Sequence, residues 1–413
     1  MLTLAACSKD EVVQQNPNDA ISFTATTGKA VSRAADGYCN NAKPKSFDVW
    51  AKQGTGATAK NYFEKLTYTK PDDGTTWVSE VYRYWPESGK LDFFAAKNYN
   101  GDVTWSHTTQ YADPIPASDP DPAVPPTSPL KIAGYTVEAE PKDQKDFIYA
   151  VYMNAVRPDY GTPAALNFRH ALSQIEFMAK NLNKNIHVEV TGVKVVNVKN
   201  KGDFYFPETS TADNFQCHNN EADPTYNSRA RGIWYNLSVS ASYIMNTTDC
   251  NVTAKKQVPY SASEVVPLTT QNITGATPED NKEYSNETLY AMPQTVDIWD
   301  GTGKPSDADA AKKAYFVLTC KIWNVAGSEV NPSTDVVLWG ASGHKDIAVC
   351  IPAGTIWEQG KRYVYTFTFT TTGNGGIDGD GNPVLTPIEL SVTVDDFSKG
   401  TDPTVEMKDP TIP

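Results

Sequence analysis

The chain has 413 residues, 49 of them acidic and 36 basic, for a formal net charge of -13. That length suits about two domains of ordinary size, and the negative balance argues against nucleic acid as a partner, because phosphate binding needs a basic field. No run of about 18 apolar residues occurs, which excludes a spanning helix, and 28 Pro, 26 Gly, 21 Tyr, 15 Phe and 9 Trp favour many strands joined by turns over helical bundles.

Leu4-Ala5-Ala6-Cys7 sets small residues before a cysteine and continues into the polar Ser8-Lys9-Asp10-Glu11, the pattern of a bacterial lipobox. A signal peptidase needs small side chains at its cut. The Cys7 thiol is the nucleophile there that would accept a diacylglycerol, so anchoring would be by lipid, with the rest of the chain outside the bilayer. Six residues precede Cys7, whereas an export signal needs a basic start and an apolar run of ~7–15 residues. Two readings therefore stand: the remnant of a lipoprotein signal, or an ordinary cytoplasmic start with one free cysteine.

Residues 8–19 read as a polar tether. Residues 20–27 alternate in the period of a strand, with Ile21, Phe23 and Ala25 on one face. The loop 28–37 that follows, with Val31-Ser32-Arg33-Ala34-Ala35-Asp36-Gly37, is small and polar enough to be exposed and cleavable. Strands are predicted at Ser46–Ala51, at Trp77–Trp85 and, after the turn Pro86-Glu87-Ser88-Gly89, at Lys90–Ala96. The Pro- and Asp-rich residues 113–128 read as a surface loop, Asp146–Val151 as a strand, and Asn154–Ala164 as a boundary near residue 160.

Within Leu166–Lys180 the apolar residues fit both a helical and a strand period. A short turn or helix around 168–172 leading into a strand is preferred. Further strands are predicted at 188–198, 202–206, 232–244, 287–292, 315–325, 335–339 and 346–351, with a polar excursion at 207–230. The clearest hairpin pairs Arg362–Phe369 with Ile388–Val394 around the Gly-rich loop 373–382. No strands alternate with long amphipathic helices. The fold class expected is all-β, two tandem antiparallel sandwiches: 1–19 a signal remnant and tether, 20–160 the first sandwich, 161–413 the second.

Chemistry-bearing patterns are few. The cysteines at 7, 39, 217, 250, 320 and 350 form no C-x-x-C pair, and the five histidines show no metal spacing. Cys217 and Cys250 could form a disulfide or stay free; Cys320 and Cys350 read as buried, inert strand residues. Asp378, Asp380 and Asn382 offer oxygens at two-residue spacing as calcium loops do, but Pro383-Val384 stands where such a loop continues, and a solubilising hairpin explains the same letters. His170 reads as a satisfied or surface histidine. Glu80, Glu87, Asp92 and Glu176 could supply a glycosidase pair only in the sense that any acidic chain could. Tyr62, Tyr82, Tyr84, Trp77 and Trp85 could line a sugar-binding surface or, more in keeping with strand aromatics, fill a core. Neither an enzyme nor a cofactor is expected. The sequons at Asn236, Asn246, Asn251, Asn272 and Asn286 are incidental in a bacterial setting.

In order along nearly the whole chain, the sequence resembles the fimbrillin-like family of Bacteroidales surface lipoproteins. The matching stretches are Cys7-Ser8-Lys9-Asp10-Glu11, Ile21-Ser22-Phe23, Tyr84-Trp85-Pro86, Leu91-Asp92-Phe93-Phe94-Ala95 and Lys145-Asp146-Phe147-Ile148-Tyr149-Ala150. They continue with Phe168-Arg169-His170-Ala171-Leu172, Met292-Pro293-Gln294, Ile351-Pro352, Trp357-Glu358-Gln359-Gly360-Lys361-Arg362-Tyr363-Val364-Tyr365 and Val392-Thr393-Val394-Asp395-Asp396-Phe397. The resemblance implies transthyretin-like sandwiches, lipid-mediated export to the outer membrane, and a fimbrial subunit. It also implies assembly in which an arginine-specific protease cuts after the first strand and a neighbour's strand replaces it. Arg33-Ala34 matches the cut. Ile388, Leu390, Val392 and Val394 form the best candidate donor, with Thr404-Val405-Glu406-Met407 as the alternative. The implied partners are other subunits, the protease, the outer membrane through the lipid and, for a tip or anchor adhesin that does not polymerise, a host protein or glycan.

Overall fold

The computed structural model describes residues 20–27, 44–54, 59–72, 74–105, 130–158, 161–207, 232–238, 241–246, 256–268, 289–327, 330–331, 333–371 and 375–396. Cys7, Arg33, Ala34, Cys39, Cys217, Cys250, the loop 113–128 and Thr404–Met407 lie outside them.

The first strands in chain order are β1 (Phe23–Thr27), β2 (Ser46–Gln53), β3 (Lys60–Thr69), β4 (Leu91–Lys97), β5 (Asp102–Trp105), β6 (Leu130–Thr136), β7 (Ile148–Ala155) and β8 (Ala164–His170). Next come β9 (Ser173–Asn181), β10 (Ile186–Val198), β11 (Lys201–Tyr205), β12 (Ile233–Ser238), β13 (Ala241–Asn246), β14 (Lys256–Val258), β15 (Val266–Pro267), β16 (Leu289–Ala291) and β17 (Gln294–Thr295). One short helix, α1 (Pro305–Ala310), precedes β18 (Tyr315–Asn324), β19 (Val336–Trp339), β20 (Lys345–Val349), β21 (Ile356–Trp357), β22 (Lys361–Phe369), β23 (Gly375–Ile377) and β24 (Pro383–Asp396). The protein is all-β, as expected; among the described strands β1 runs parallel to β8 and β22 parallel to β9.

The N-terminal sheet has the order β1-β8-β7-β4-β2-β3. One face of it, carrying Trp50, Phe94, Tyr149 and Val151, packs on a second sheet of order β12-β11-β6-β5 through Leu130, Ile132, Phe204, Phe206 and Trp234. Ring contacts fix that layer, with Phe204 4.8 Å from both Phe147 and Tyr149. The expected boundary near residue 160 runs through bonded structure. β8, from beyond it, is clamped between β1 and β7, and β11 and β12 come from still further along.

The second sandwich is one continuous ladder folded over. Residues 383–387 of β24 pair with β23 in one layer, and Ile388–Asp396 pair with β22 in the other, the strand changing layers at Pro387. Phe316 of β18 crosses between layers to meet Phe177 at 5.0 Å and Tyr365 at 4.8 Å. The expected pairing of β22 with β24 is present, from Phe369↔Ile388 to Tyr363↔Val394, but the expected loop 373–382 between them contains β23, which pairs with β20 and with β24. Cys320 is buried in β18, whereas Cys350 stands half-buried just past β20, not within a strand; both are free thiols.

Other departures have local causes. Leu166–Lys180 forms two strands and no helix: β8 ends at His170, the chain turns at Ala171 and Leu172, and β9 begins at Ser173. The turn is held by Ala171 N–H donating to Phe147 O and Trp234 Nε1–H donating to Ala171 O. The expected strand at 232–244 splits into β12 and β13. β3, which alternation did not reveal, buries Phe63 and Tyr68, five residues apart. They share a face because the pairing with β2 shifts between Val49 and Ala51; such a bulge breaks the period-2 signal in the sequence.

Burial holds several phenols neutral. The Tyr68, Tyr135 and Tyr363 hydroxyls are pushed far up, and that of Tyr365 up to about 12, by desolvation. Their folded values exceed the unfolded value near 10, so this stabilisation is complete below pH about 10 and is lost as pH rises towards the folded values. The melting temperature should therefore fall above pH about 10, with tyrosinate absorbance rising together with unfolding. Four phenols titrating near 10 in an intact fold would contradict this.

Candidate functional site

β1 closes the N-terminal sheet into a ring. One edge of β1 pairs with β8, from Phe23↔Ala164 to Thr27↔Phe168, with Ala164 N–H also donating to Ser22 O at 2.9 Å. On the other edge Phe23 N–H donates to Trp77 O at 3.0 Å, Trp77 N–H to Phe23 O at 2.8 Å and Ile21 N–H to Arg83 O at 2.6 Å. The next residue, Val78, exchanges two hydrogen bonds with Thr69 at the end of β3. A single extended segment thus bridges β1 to the far edge of the sheet. Residues 77–85 were expected as a regular strand; they pair only at Trp77, Val78 and Tyr84, with bends between.

Inside the ring lies a second core, separate from the one between the sheets. It contains Ile21, Phe23 and Ala25 of β1 with Phe47, Val49, Phe63, Tyr68, Trp77, Leu91, Phe93, Leu166 and Phe168. Phe23 sits at its centre, edge-on to Tyr68 at 4.8 Å, Phe93 at 5.1 Å and Phe47 at 6.2 Å. Ile21, Phe23 and Ala25 therefore share one inward face, as their alternation predicts. Burying the two large side chains contributes roughly 3–6 kcal/mol. Trp77, considered above as a sugar platform, is fully buried and donates from Nε1 to Pro44 O at 2.7 Å, tying the entry of β2 to the same core.

One polar atom in this core is unsatisfied. The Tyr68 hydroxyl is buried and has no hydrogen-bond partner among the described residues. Leaving such a group unpaired costs about 1–3 kcal/mol. Tyr68→Phe should accordingly leave the intact protein as stable or raise its stability by about 1 kcal/mol in urea unfolding. A loss of stability would mean that the hydroxyl has a partner.

The other residues noted from sequence do not gather into a site. Trp85 packs edge-on to Phe93, Tyr62 donates to Tyr84 O, and only Tyr82 of that aromatic group stands half exposed. Glu176 is ion-paired to Arg362 at 2.6 Å in the second sandwich, and Asp92 accepts Asn154 N–H. Glu80 and Glu87 are exposed on the first sandwich. His170 is buried with Nδ1 2.7 Å from Asp146 Oδ2, as a satisfied histidine. Asp378 Oδ1 accepts the N–H groups of Asp380 and Asn382, and these bonds, that of Asn382 foremost, hold its carboxyl below the usual range. The Asp378 carboxylate is thus spent on closing its own turn, with the Asn382 side-chain amide also donating to it. Among the described residues no group of three or more His, Cys, Asp or Glu is placed to hold a metal.

The longer quoted stretches do structural work at crossings. In Trp357–Tyr365, Trp357 Nε1–H donates to Tyr365 Oη at 3.0 Å, Glu358 N–H to Tyr363 Oη at 2.9 Å, and Gly360 N–H to Leu172 O at 2.9 Å. Gly360 takes φ 71°, a left-handed turn conformation that favours glycine. In Met292-Pro293-Gln294 the Gln294 amide both accepts from Lys199 N–H and donates to Lys199 O.

A family model described as fimbrillin-like matches residues 32–396. The chain belongs to the fimbrillin-like family. It is accordingly a fimbrial or adhesion-related surface protein. No curated protein matches it. Among solved structures, this fimbrillin-like chain is similar to a fimbrilin from Porphyromonas gingivalis at 13% identity and TM-score 0.37, covering 93% of this chain and 99% of that one. It is also similar to the tip fimbrial protein Mfa3 from the same organism, with a C-terminal truncation, at 11% identity and TM-score 0.31, covering 91% and 99%. The family match carries the assignment. No helix of the fimbrillin-like chain, among the described residues, is long and apolar enough to cross a membrane.

Proposed function

We propose that this protein is a structural subunit of a fimbria on the bacterial outer surface, exported as a lipoprotein through Cys7 and contributing to adhesion. Assembly follows proteolysis at Arg33-Ala34 and exchange of β1 for a strand of another subunit. The observation that carries the reading is the position of β1. It is a short strand bonded along both edges, it supplies the central side chain of a separate core, and it is joined to β2 through the segment that holds Arg33. A cut there would leave β1 held by non-covalent contacts alone, and its departure would open two strand edges and an apolar groove together, which an incoming extended chain would fill. The same cut would release Cys7 and its lipid with β1.

The expected donor, Ile388–Val394, is engaged with β22 over its whole length. Withdrawing it would strip that ladder. The test is incubation of the full chain with an arginine-specific protease in the presence of other fimbrial subunits. The expected result is one new N-terminus at Ala34 followed by SDS-resistant oligomers; an uncut chain, or a cut chain that stays monomeric in the presence of other subunits, defeats the reading.

A further inference from the structure

Resting on the strand-exchange reading above, we infer that the groove around β1 selects its occupant by an aromatic anchor. The incoming strand of another subunit carries an aromatic residue at the position of Phe23 and a small residue at the position of Ala25, which neither Ile388–Val394 nor Thr404–Met407 of this chain provides.

The groove has one deep slot. Phe23 fills it with no solvent exposure, met on three sides by the rings of Tyr68, Phe93 and Phe47. Its backbone exchanges both hydrogen bonds with Trp77, so the register of the occupant is fixed at this residue. Sliding by one position would turn the anchor outward, because side chains alternate between faces. An aliphatic residue in the slot forfeits the edge-to-face contacts and leaves a void that close-packed walls do not collapse to fill. Two residues on, Ala25 is equally buried opposite Leu166 of β8, where a larger side chain would overpack. At the other end Ile21, also buried, tolerates an aliphatic group.

Both segments expected to donate fail at the slot. Ile388, Leu390, Val392 and Val394 present only aliphatic groups, and Thr404-Val405-Glu406-Met407 presents none that is aromatic. Nor is β1 an ideal filler, since it leaves the Tyr68 hydroxyl without a partner among the described residues. A strand that matches the anchor and also offers Tyr68 an acceptor displaces β1 downhill.

The test uses the full chain, cut with an arginine-specific protease, and fluorescently labelled peptides read by anisotropy. A peptide of residues 20–27 should bind. Its Phe23→Ala form should bind roughly a hundredfold more weakly and its Phe23→Leu form roughly tenfold more weakly, while peptides of residues 388–396 and 401–413 should be weaker than the 20–27 peptide by tenfold or more. Equal binding of the 20–27 and Phe23→Ala peptides, or tight binding of either C-terminal peptide, overturns the anchor but leaves strand exchange standing. If no peptide binds the cut chain, both the anchor and the exchange reading fail.

Discussion

Replacing Phe23 by alanine lowers the stability of the intact N-terminal sandwich by about 3–5 kcal/mol, the largest effect expected from any single change in β1. Phe23 has no exposed surface and holds three other rings edge-on, so its removal loses the transfer energy of a phenyl group and leaves a cavity walled by Tyr68, Phe93 and Phe47. Those rings come from β2 and β4, each paired on both sides in the sheet, and from β3, paired along one side with β2 and bridged at Thr69 to Val78, which limits collapse into the void. Ile21→Val, at the end of the same face, should cost only about 0.5–1.5 kcal/mol. Urea unfolding followed by tryptophan fluorescence separates the two, since Trp77 reports on this core. In addition, amide exchange along residues 21–25 should accelerate far more than exchange in β22 or β24. A uniform acceleration across both sandwiches would count against β1 being a locally removable element.

The second large effect is expected at Arg362 and Glu176. Their side chains are 2% and 5% exposed, and Nη2 lies 2.6 Å from Oε2. Glu176 belongs to β9 and Arg362 to β22, which run parallel with Arg362 opposite Gln174, so the pair reaches diagonally across the ladder. Glu176→Gln removes a buried charge that lies against the Arg362 guanidinium and should cost about 3–5 kcal/mol. The double change Glu176→Leu with Arg362→Met should recover much of that loss, because desolvating two ions offsets much of their mutual attraction. A double-mutant cycle by chemical denaturation checks both statements. Additive losses would show that the two side chains act independently.

Some of this was legible along the chain. The alternation of Ile21, Phe23 and Ala25 fixes their shared face, because side chains of a strand point alternately whatever the strand pairs with. The same holds for Arg362–Phe369 and Ile388–Val394, which are near in sequence and pair with each other. β3 was not legible, since a bulge puts Phe63 and Tyr68 on one face at odd spacing. Trp77–Val78 looked like part of an ordinary strand. Its role as the bridge between β1 and β3 depends on one partner more than fifty residues before it, Phe23, and another, Thr69, that precedes it across a turn, which no local pattern encodes.

The short stretches shared with the family are a different case. His170 reads as a satisfied or surface histidine until Asp146 is found beside it, and Arg362 is only a residue of an alternating strand until Glu176 is found across the parallel pairing. In each, one member of the pair is supplied by an element distant in sequence, and burial is decided by the layer that covers it.

The sequence by itself determined an all-β chain, the inward face of its first strand and its clearest hairpin, because period-2 patterning and turn chemistry act over a few residues. Tertiary structure alone decided that β1 runs parallel to β8, that one segment closes the sheet around Phe23, and that β8 reaches across the expected boundary to hold both neighbours. Those are choices among non-local partners, made by which edges remain unpaired and which apolar faces remain uncovered once the local strands have formed.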